Sequence, residues 1–387
     1  MKIALLTDGL SPFVVGGMQQ HSASIAVELV KAGHKVDLFH FVHRGQDVLN
    51  LKEINSFYFD SNKGFNNVFC CFFPVSLKFP GHYIWNSIRY SRRIYNEMCR
   101  RKVDYDFIYS KGFTAWQLLI KRKKNTIKSK VGVNFHGYEM YQFAPNFKIK
   151  MQQIILRFFV KKIINETDFV FSYGGKINDL ILSLGIDKKK ILESPSAISL
   201  NWIKNINKIS SNPNLKYLFV GRYERRKGIQ EINNALLLLS KNHFNCEFHF
   251  VGSIPERKKI HSDKLKIIYH GLIIDEIQKK KLYDNCDVLL CPSYSEGMPN
   301  VVLEAMSRGL IIIATDVGAM NTLVSSDNGI LIKDCKSSLI KDAIEKINLS
   351  EKKLILKMKY NSIKKIRENF SWPNVLNTLT TKIENIL

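Results

Sequence analysis

Short apolar stretches alternate with amphipathic ones nearly from end to end of the chain, and this rhythm limits the fold more than any other feature. "KIALLTD" is followed by a helical pattern over about Met18 to Lys31 that stops at Gly33, and then by "KVDLFHFV"; "DFIYS", "KVGVNFHG" and "DFVFSYG" continue the series. Strands separated by helical segments predict right-handed crossovers and a mostly parallel sheet covered on both faces. The pattern lapses over "ISLNWIKNINKISSNPN", Ile198 to Asn214, then restarts with "KYLFVGRYERRKG", "CEFHFVGS", "LKIIYHG", "DVLLCPS" and "LIIIATD". A chain of 387 residues also exceeds the size at which a single core stops growing. Two α/β domains are therefore expected, over residues 1–198 and 199–370, with a last helix over 371–387.

With 45% hydrophobic residues there is ample material for two cores. The opening "MKIALLTDG" is too short for a signal h-region and reads as a first buried strand. No uninterrupted apolar run approaches the roughly 18 residues of a spanning helix. The seven cysteines show neither CxxC pairs nor regular spacing. That pattern points to reduced thiols in the cytosol, with Cys70 and Cys71 packing in a strand.

In open parallel sheets, ligands bind beyond the carboxyl ends of the strands, where loops lead into helices, and the chemistry-bearing motifs fall on such loops. In "SEGMPNVVLEAMSRG" two carboxylates, Glu296 and Glu304, flank seven residues of a helix start, with Pro299 near the first position and Gly309 as the stop. A helix that begins there offers amides and a positive dipole end to an anion. A carboxylate beside a phosphate is unfavourable, but it can accept hydrogen bonds from vicinal hydroxyls. The two glutamates would thus hold hydroxyl-bearing rings on either side of a diphosphate; a dipole-favouring Glu296 and a surface Glu304 account for the stretch equally well. "FVGRYERRKG" places Arg222 and Lys227 on another strand-end loop, where a fork and a point charge can take phosphate oxygens and offset charge on a departing diphosphate. A solvated basic turn suffices for Arg225 or Arg226 but not for the flanking glycines.

The amino-terminal half supplies "LTDGLSPFVVGGMQQH", in which Gly16 and Gly17 open a helix with His21 one turn inside, and "VGVNFHGYEMY", which places His136 at a strand end. Paired glycines let a backbone approach a phosphate or sugar, or simply make a flexible loop. A strand-end histidine can bond a sugar hydroxyl or a reacting oxygen, or be an ordinary satisfied polar group. Asp104 and Asp106 form an Asp-x-Asp pair of the kind that can hold a divalent ion. They precede their strand, at the amino-terminal edge, and so read as a turn.

Taken in order, the Gly-Gly loop, the strand-end histidine, the Gly-Arg…Lys-Gly loop, the Glu-x7-Glu pair, the "PS…EG" and "ATDVG" contexts and the closing "FSW" resemble the retaining glycosyltransferases of family 4. The resemblance runs nearly the whole chain. It implies an α/β GT-B fold, two facing Rossmann-like domains with a cleft between them, in which the last helix crosses back onto the amino-terminal domain. It also implies a role for each residue. Glu296 would bind hydroxyls of the donor sugar and Glu304 the ribose. Arg222 and Lys227 would bind the diphosphate. His136 would contact the sugar near the reacting centre, and His21 the acceptor. Gly16 and Gly17 would approach the diphosphate through backbone, and amides around Gly297, Met298 and Asn300 would complete the cradle. No metal and no cofactor are expected, the nucleotide-sugar (UDP- or GDP-linked) being a substrate. The pattern departs at "PSAIS", where Pro-Asn-Gly-Val-Asp is usual, at "GSIPE", where a Gly-x-Gly-like turn is usual, and at "GAMNT", with Thr322 in place of a glutamate.

The net charge of +24 favours anionic partners, although its short lysine clusters, "KRKK" at 121–124 and "KKK" at 188–190 and 279–281, also suit a solvated surface. None of the usual nucleic-acid signatures is present, and no nucleic-acid partner is expected. In the amino-terminal half, "HYIWNSIRYSRRIYNEMCRRK" and "FKIKMQQIILRFFVKKIIN" mix apolar and basic residues as a helix on an anionic leaflet requires; packing of the same apolar residues in the core is the competing account. The expected partners are a nucleotide-sugar, a glycan or undecaprenyl-linked acceptor of surface-polysaccharide assembly, and the anionic inner-membrane surface reached from the cytoplasm. A GT-B epimerase or phosphorylase, or a non-enzymatic polyanion or nucleic-acid binder, are the competing functions.

Overall fold

The computed structural model describes every residue except 15, 43–47, 49, 61–62, 75–80, 123–127 and 242–244, so part of the basic cluster at 121–124 lies outside the described residues. The chain divides into two compact units: residues 1–173, 178–194 and 375–387 form the first, and residues 174–177 and 195–374 the second.

The first unit runs β1 (Lys2–Leu6), α1 (Gly17–Lys31), β2 (Lys35–Val42), α2 (Leu51–Tyr58), β3 (Asn67–Phe72), α3 (His82–Arg101), β4 (Phe107–Lys111), α4 (Trp116–Ile120), β5 (Lys130–Asn134), α5 (Phe147–Glu166), β6 (Phe169–Ser172), α6 (Lys176–Ser183) and β7 (Ile191–Glu193). The second runs β8 (Lys216–Val220), α7 (Ile229–Leu239), β9 (Glu247–Val251), β10 (Lys266–Tyr269), α8 (Glu276–Asn285), β11 (Val288–Cys291), α9 (Asn300–Ser307), β12 (Ile311–Thr315), α10 (Met320–Leu323), β13 (Gly329–Ile332), α11 (Ser337–Asn348) and α12 (Lys352–Asn369). The last helix, α13 (Trp372–Glu384), belongs from Val375 onward to the first unit.

Both sheets are parallel throughout, in the orders β3-β2-β1-β4-β5-β6-β7 and β10-β9-β8-β11-β12-β13. The central strands are near-continuous apolar runs because both of their faces are covered. In β12 all of Ile311, Ile312 and Ile313 are fully buried, each side chain contributing roughly 1.5–3 kcal/mol by leaving water. Aromatic pairs fill the first core, with Tyr109 stacked on Phe171 at 4.1 Å between ring centres. The edge strands β7 and β13, three and four residues long, are too short to stand out as apolar runs in the sequence. The expected linker, Ile198 to Asn214, lies within the second unit, where Ile198 bridges to Ser371 and the rest forms irregular backbone and 3₁₀ turns, among them Leu200–Trp202 with Trp202 buried.

In each sheet the strand order reverses beside the first strand of the unit, between β1 and β4 and between β8 and β11. Loops leaving adjacent strands at such a point diverge to opposite faces and open a crevice. The loops concerned carry Asp8 to Gly17 and Lys111 in the first unit, and Arg222 to Gly228 and Pro292 to Pro299 in the second.

Candidate active site

The second unit gathers one group of expected residues. Glu296 lies in the loop between β11 and α9 and is buried. Its Oε1 accepts from Lys227 Nζ at 2.6 Å and from Ser293 Oγ at 2.7 Å, while Arg226 Nη1 lies 3.7 Å from Oε2. A carboxylate out of water is tolerable only with such donors. The two loops are locked together by backbone: Tyr294 N donates to Arg226 O at 2.7 Å. Gly228, at φ +69°, passes so close to β11 that a Cβ there would lie 2.1 Å from Pro292 O. The "DVG" turn backs the same loop, since Ala319 N donates to Gly297 O and a Cβ on Gly318 would lie 2.2 Å from Glu296 O. These glycines therefore act by letting protein backbone approach protein backbone.

No side chain caps α9, whose Ncap is Pro299, so the amides of its first turn have no side-chain acceptor. Asn300, its first residue, is held by Ser196 Oγ at 3.1 Å from Oδ1, which gives the "PSAIS" loop a structural task. Met298 is buried beneath. One helical turn on, Glu304 is also buried, its carboxylate accepting from Tyr283 Oη at 2.8 Å and from Lys279 Nζ at 2.7 Å, both on α8. Thr322 only closes its own turn, donating to Ala319 O.

Arg222 stands apart from this group. Its side chain is 75% exposed and pairs with Glu224 at 2.9 Å. Arg226 reaches toward Glu296, and Ser293 joins it. Sequence reasoning passed over both, reading Arg226 as a turn residue. The adjacency of Ser293 and Glu296, three residues apart in a strand-end loop, was the available signal.

In the first unit His21 and His136 converge, ring centres 5.4 Å apart and mutually perpendicular. His136 follows β5 with φ +57°, a left-handed backbone that a bulky residue rarely adopts; its N–H donates to Asn134 Oδ1 at 2.6 Å. Its Nδ1 is bonded to the Tyr173 hydroxyl. His21 Nδ1 lies 2.9 Å from Lys111 Nζ, at the end of β4. Burial, with the charge of Lys111 adding to it, pushes both histidines well below the usual imidazole range, so both are neutral. Burial also brings the Lys111 amine down to about 7, against the opposing pull of Asp8. Lys111, Tyr173 and Asp8 were not anticipated, because a single lysine or aspartate at a strand end carries no spacing signal. Gly17 is the first residue of α1, and a Cβ on it would meet nothing within 4 Å, so packing does not require glycine there.

The Asp-x-Asp pair is a turn, with Asp106 accepting from Lys2 N at 2.6 Å and so bracing the amino-terminal ends of β1 and β4. Among the described residues no group of His, Cys, Asp and Glu is arranged to hold a metal ion, and none of the seven cysteines is in a disulfide.

Known proteins place this architecture. Residues 15–201 match the family described as Glycosyltransferase Family 4, and residues 214–348 match Glycosyl transferases group 1. The chain is a family 4 glycosyltransferase of the GT-B fold. This family 4 chain is 23% identical over 395 residues to an uncharacterized glycosyltransferase of Methanocaldococcus jannaschii, covering 97% of this chain and 96% of that one. It is 30% identical over 213 residues to the N,N'-diacetylbacillosaminyl-diphospho-undecaprenol alpha-1,3-N-acetylgalactosaminyltransferase of Campylobacter jejuni, covering 51% and 53%. Its fold matches the crystal structure of Anabaena HepE in complex with UDP, with a TM-score of 0.66 at 15% identity over the full length of both chains.

Proposed function

We propose that this glycosyltransferase moves a hexose-type sugar from a UDP- or GDP-sugar to a glycan or undecaprenyl-linked glycan in the assembly of a cell-surface polysaccharide, with retention and without a metal ion. The observation that carries the reading is the buried Glu296 held by Lys227, Arg226 and Ser293 beside the uncapped start of α9. Hydroxyls of the donor sugar would compete for the Glu296 oxygens, and the released cations with the helix end would take the diphosphate. Positive charge already in place at the leaving group does the work otherwise done by a divalent ion. In the retaining course, the bond from the anomeric carbon to the diphosphate oxygen breaks while the acceptor oxygen bonds to that carbon on the same face, and the acceptor proton passes to the departing phosphate. No enzymic nucleophile is then needed. The complex of a structural neighbour with UDP and the undecaprenol acceptor named for the Campylobacter relative support the donor and acceptor classes.

The membrane part of the reading rests on α5. Phe147, Met151, Ile154 and Phe158, spaced four, three and four residues apart, lie on one face of this helix and are all exposed, Phe147 at 77% and Phe158 at 68%. Lys148, Lys150, Lys161 and Lys162 are exposed on the same helix. That arrangement fits insertion into the headgroup layer of an anionic leaflet on the cytoplasmic side. The other basic stretch, α3, instead buries Ile84, Tyr90, Ile94 and Met98 in the core. Among the described residues no helix is long and apolar enough to cross a membrane.

The test is a thermal-shift panel of UDP, GDP, ADP and their sugar conjugates with EDTA present. Selective stabilisation by one nucleotide and its sugar conjugate supports the donor class and metal independence. No response to any nucleotide, with a response to polyanions, would move the reading to a polyanion-binding protein.

A further inference from the structure

Lys111 is fully buried, and among the described residues no carboxylate lies within 4 Å of its amine. The same molecule shows how a buried lysine is ordinarily accommodated: Lys359 pairs with the buried Asp287 at 2.7 Å. Lys111 is directed instead to a histidine nitrogen, His21 Nδ1 at 2.9 Å, with its ammonium 4.9 Å from the centre of the Tyr109 ring. A bare buried cation is costly, so its retention at the strand-order reversal calls for a role that a methionine could not fill.

While Lys111 carries its proton, below about pH 7, it has no lone pair and in the bond to His21 can only donate. Nδ1 is therefore the acceptor, and the single proton of the neutral ring sits on Nε2. His136 faces the Tyr173 hydroxyl, a group that can donate or accept. Burial pushes the Tyr173 phenol well above its ordinary range, so it keeps its proton. Among the described residues His136 Nδ1 is the one partner recorded for its hydroxyl. With that hydroxyl donating, the one arrangement of the pair that uses its proton, the proton of His136 sits on Nε2, an atom that is buried and has no hydrogen-bond partner; Asp8 Oδ1 is likewise buried without one. The titratable and aromatic groups around the lysine are Asp8 after β1, His21 on α1, Tyr109 on β4 and His136 after β5.

We propose that Lys111 is a positioning residue of the first-unit site: by donating to His21 Nδ1, while Tyr173 donates to His136, it sets both rings as neutral Nε2–H donors for an oxygen of the substrate. The proposal rests on the transfer reading only for the statement that the oxygen belongs to a sugar substrate. The lysine is not in contact with that oxygen and acts through the rings.

The test uses the full chain labelled with ¹⁵N-histidine, its His21 and His136 signals assigned with single His→Gln variants, and long-range ¹H–¹⁵N spectra recorded at about pH 6, where Lys111 carries its proton and both buried rings are still neutral. The wild type is expected to show both rings as the Nε2–H form. In Lys111→Met, His21 is expected to become a mixture of tautomers or to protonate at a higher pH, and the turnover number with the nucleotide-sugar that stabilises the protein should fall about tenfold or more, with KM within about twofold. Tyr173→Phe should move the His136 signal and leave His21 in place, which keeps the proposal testable if Lys111→Met fails to fold. Unchanged tautomers and titration in both variants would overturn it, whatever their turnover. Shifted tautomers without turnover of any nucleotide-sugar would support the positioning role and count instead against the transfer reading.

Discussion

Lys227 Nζ and Glu296 Oε1, 69 residues apart in the chain, lie 2.6 Å apart in the loops that follow β8 and β11. The pair is mostly out of water, with 17% and 7% of the two side chains exposed. Each partner therefore makes the other tolerable, and a ligand that takes Glu296 as its hydroxyl acceptor also frees Lys227 for a phosphate. Lys227→Met is expected to lower the turnover number by about 10²–10³. Glu296→Ala should lower it similarly and also destabilise the fold, by about 3–5 kcal/mol at most, because Lys227 and Arg226 lose their counter-charge. Steady-state kinetics with parallel thermal unfolding check both; turnover within about twofold of wild type in the two variants would remove the pair from the site.

Glu304 makes a second case, since its carboxylate is already occupied by Tyr283 and Lys279. If these donors hold the carboxylate ready for ribose hydroxyls, Tyr283→Phe should weaken nucleotide binding by about 0.5–1.5 kcal/mol and leave the turnover number nearly unchanged. Calorimetric titration of the stabilising nucleotide measures this. Unaltered affinity would assign the trio to packing between α8 and α9.

These two sites show what the sequence could and could not disclose. Parallel strands with buried faces leave runs such as "LIIIATD", so two parallel α/β domains are legible from the pattern, and the helix starting at Asn300 is bounded by Pro299 and Gly309; the roles of the two glutamates beside it come from the family resemblance and not from spacing. The partners of those carboxylates are legible in neither. Arg226 and Arg222 are four residues apart in one basic loop, and nothing in their spacing says that Arg226 lies 3.7 Å from Glu296 while Arg222 pairs with Glu224. Lys111 is still less visible, because the groups around it come from β1, α1, β4 and β5, and no local pattern brings them together. The two amphipathic stretches also read alike, yet α3 turns Ile84, Tyr90, Ile94 and Met98 inward and leaves only Tyr83 and Trp85 among its large apolar residues exposed, whereas α5 buries its carboxyl-terminal Val160, Ile163 and Ile164 and leaves Phe147, Met151, Ile154, Ile155 and Phe158 exposed.

That contrast yields a direct test of membrane association. Phe147→Glu with Phe158→Glu alters two exposed side chains and should change stability by no more than about 0.5 kcal/mol. Flotation with anionic liposomes at low salt should nevertheless fall about tenfold or more, since the substitutions remove buried apolar area and add repulsion from the leaflet. Binding of the wild type should itself weaken as salt rises. Equal flotation of variant and wild type would exclude α5 as the contact.

The last prediction concerns pH and follows from the position of Lys111. Its amine titrates at about 7 in the folded chain, lowered by burial, against an ordinary value of 10.5. Between these values the unfolded chain binds the proton and the folded chain does not, so this residue makes stability rise with pH across that window; below about 7 its cost is present in full. Replacement by an apolar side chain of similar length removes the cost. Lys111→Met should therefore unfold at a higher temperature than the wild type near pH 6, by several degrees if a few kcal/mol are at stake, and the gap should narrow steadily toward pH 10. Unfolding temperatures measured across this range decide the matter. A gap that is constant with pH would mean that Lys111 keeps an ordinary pKa, and so has a counter-charge or water that satisfies it within the first unit.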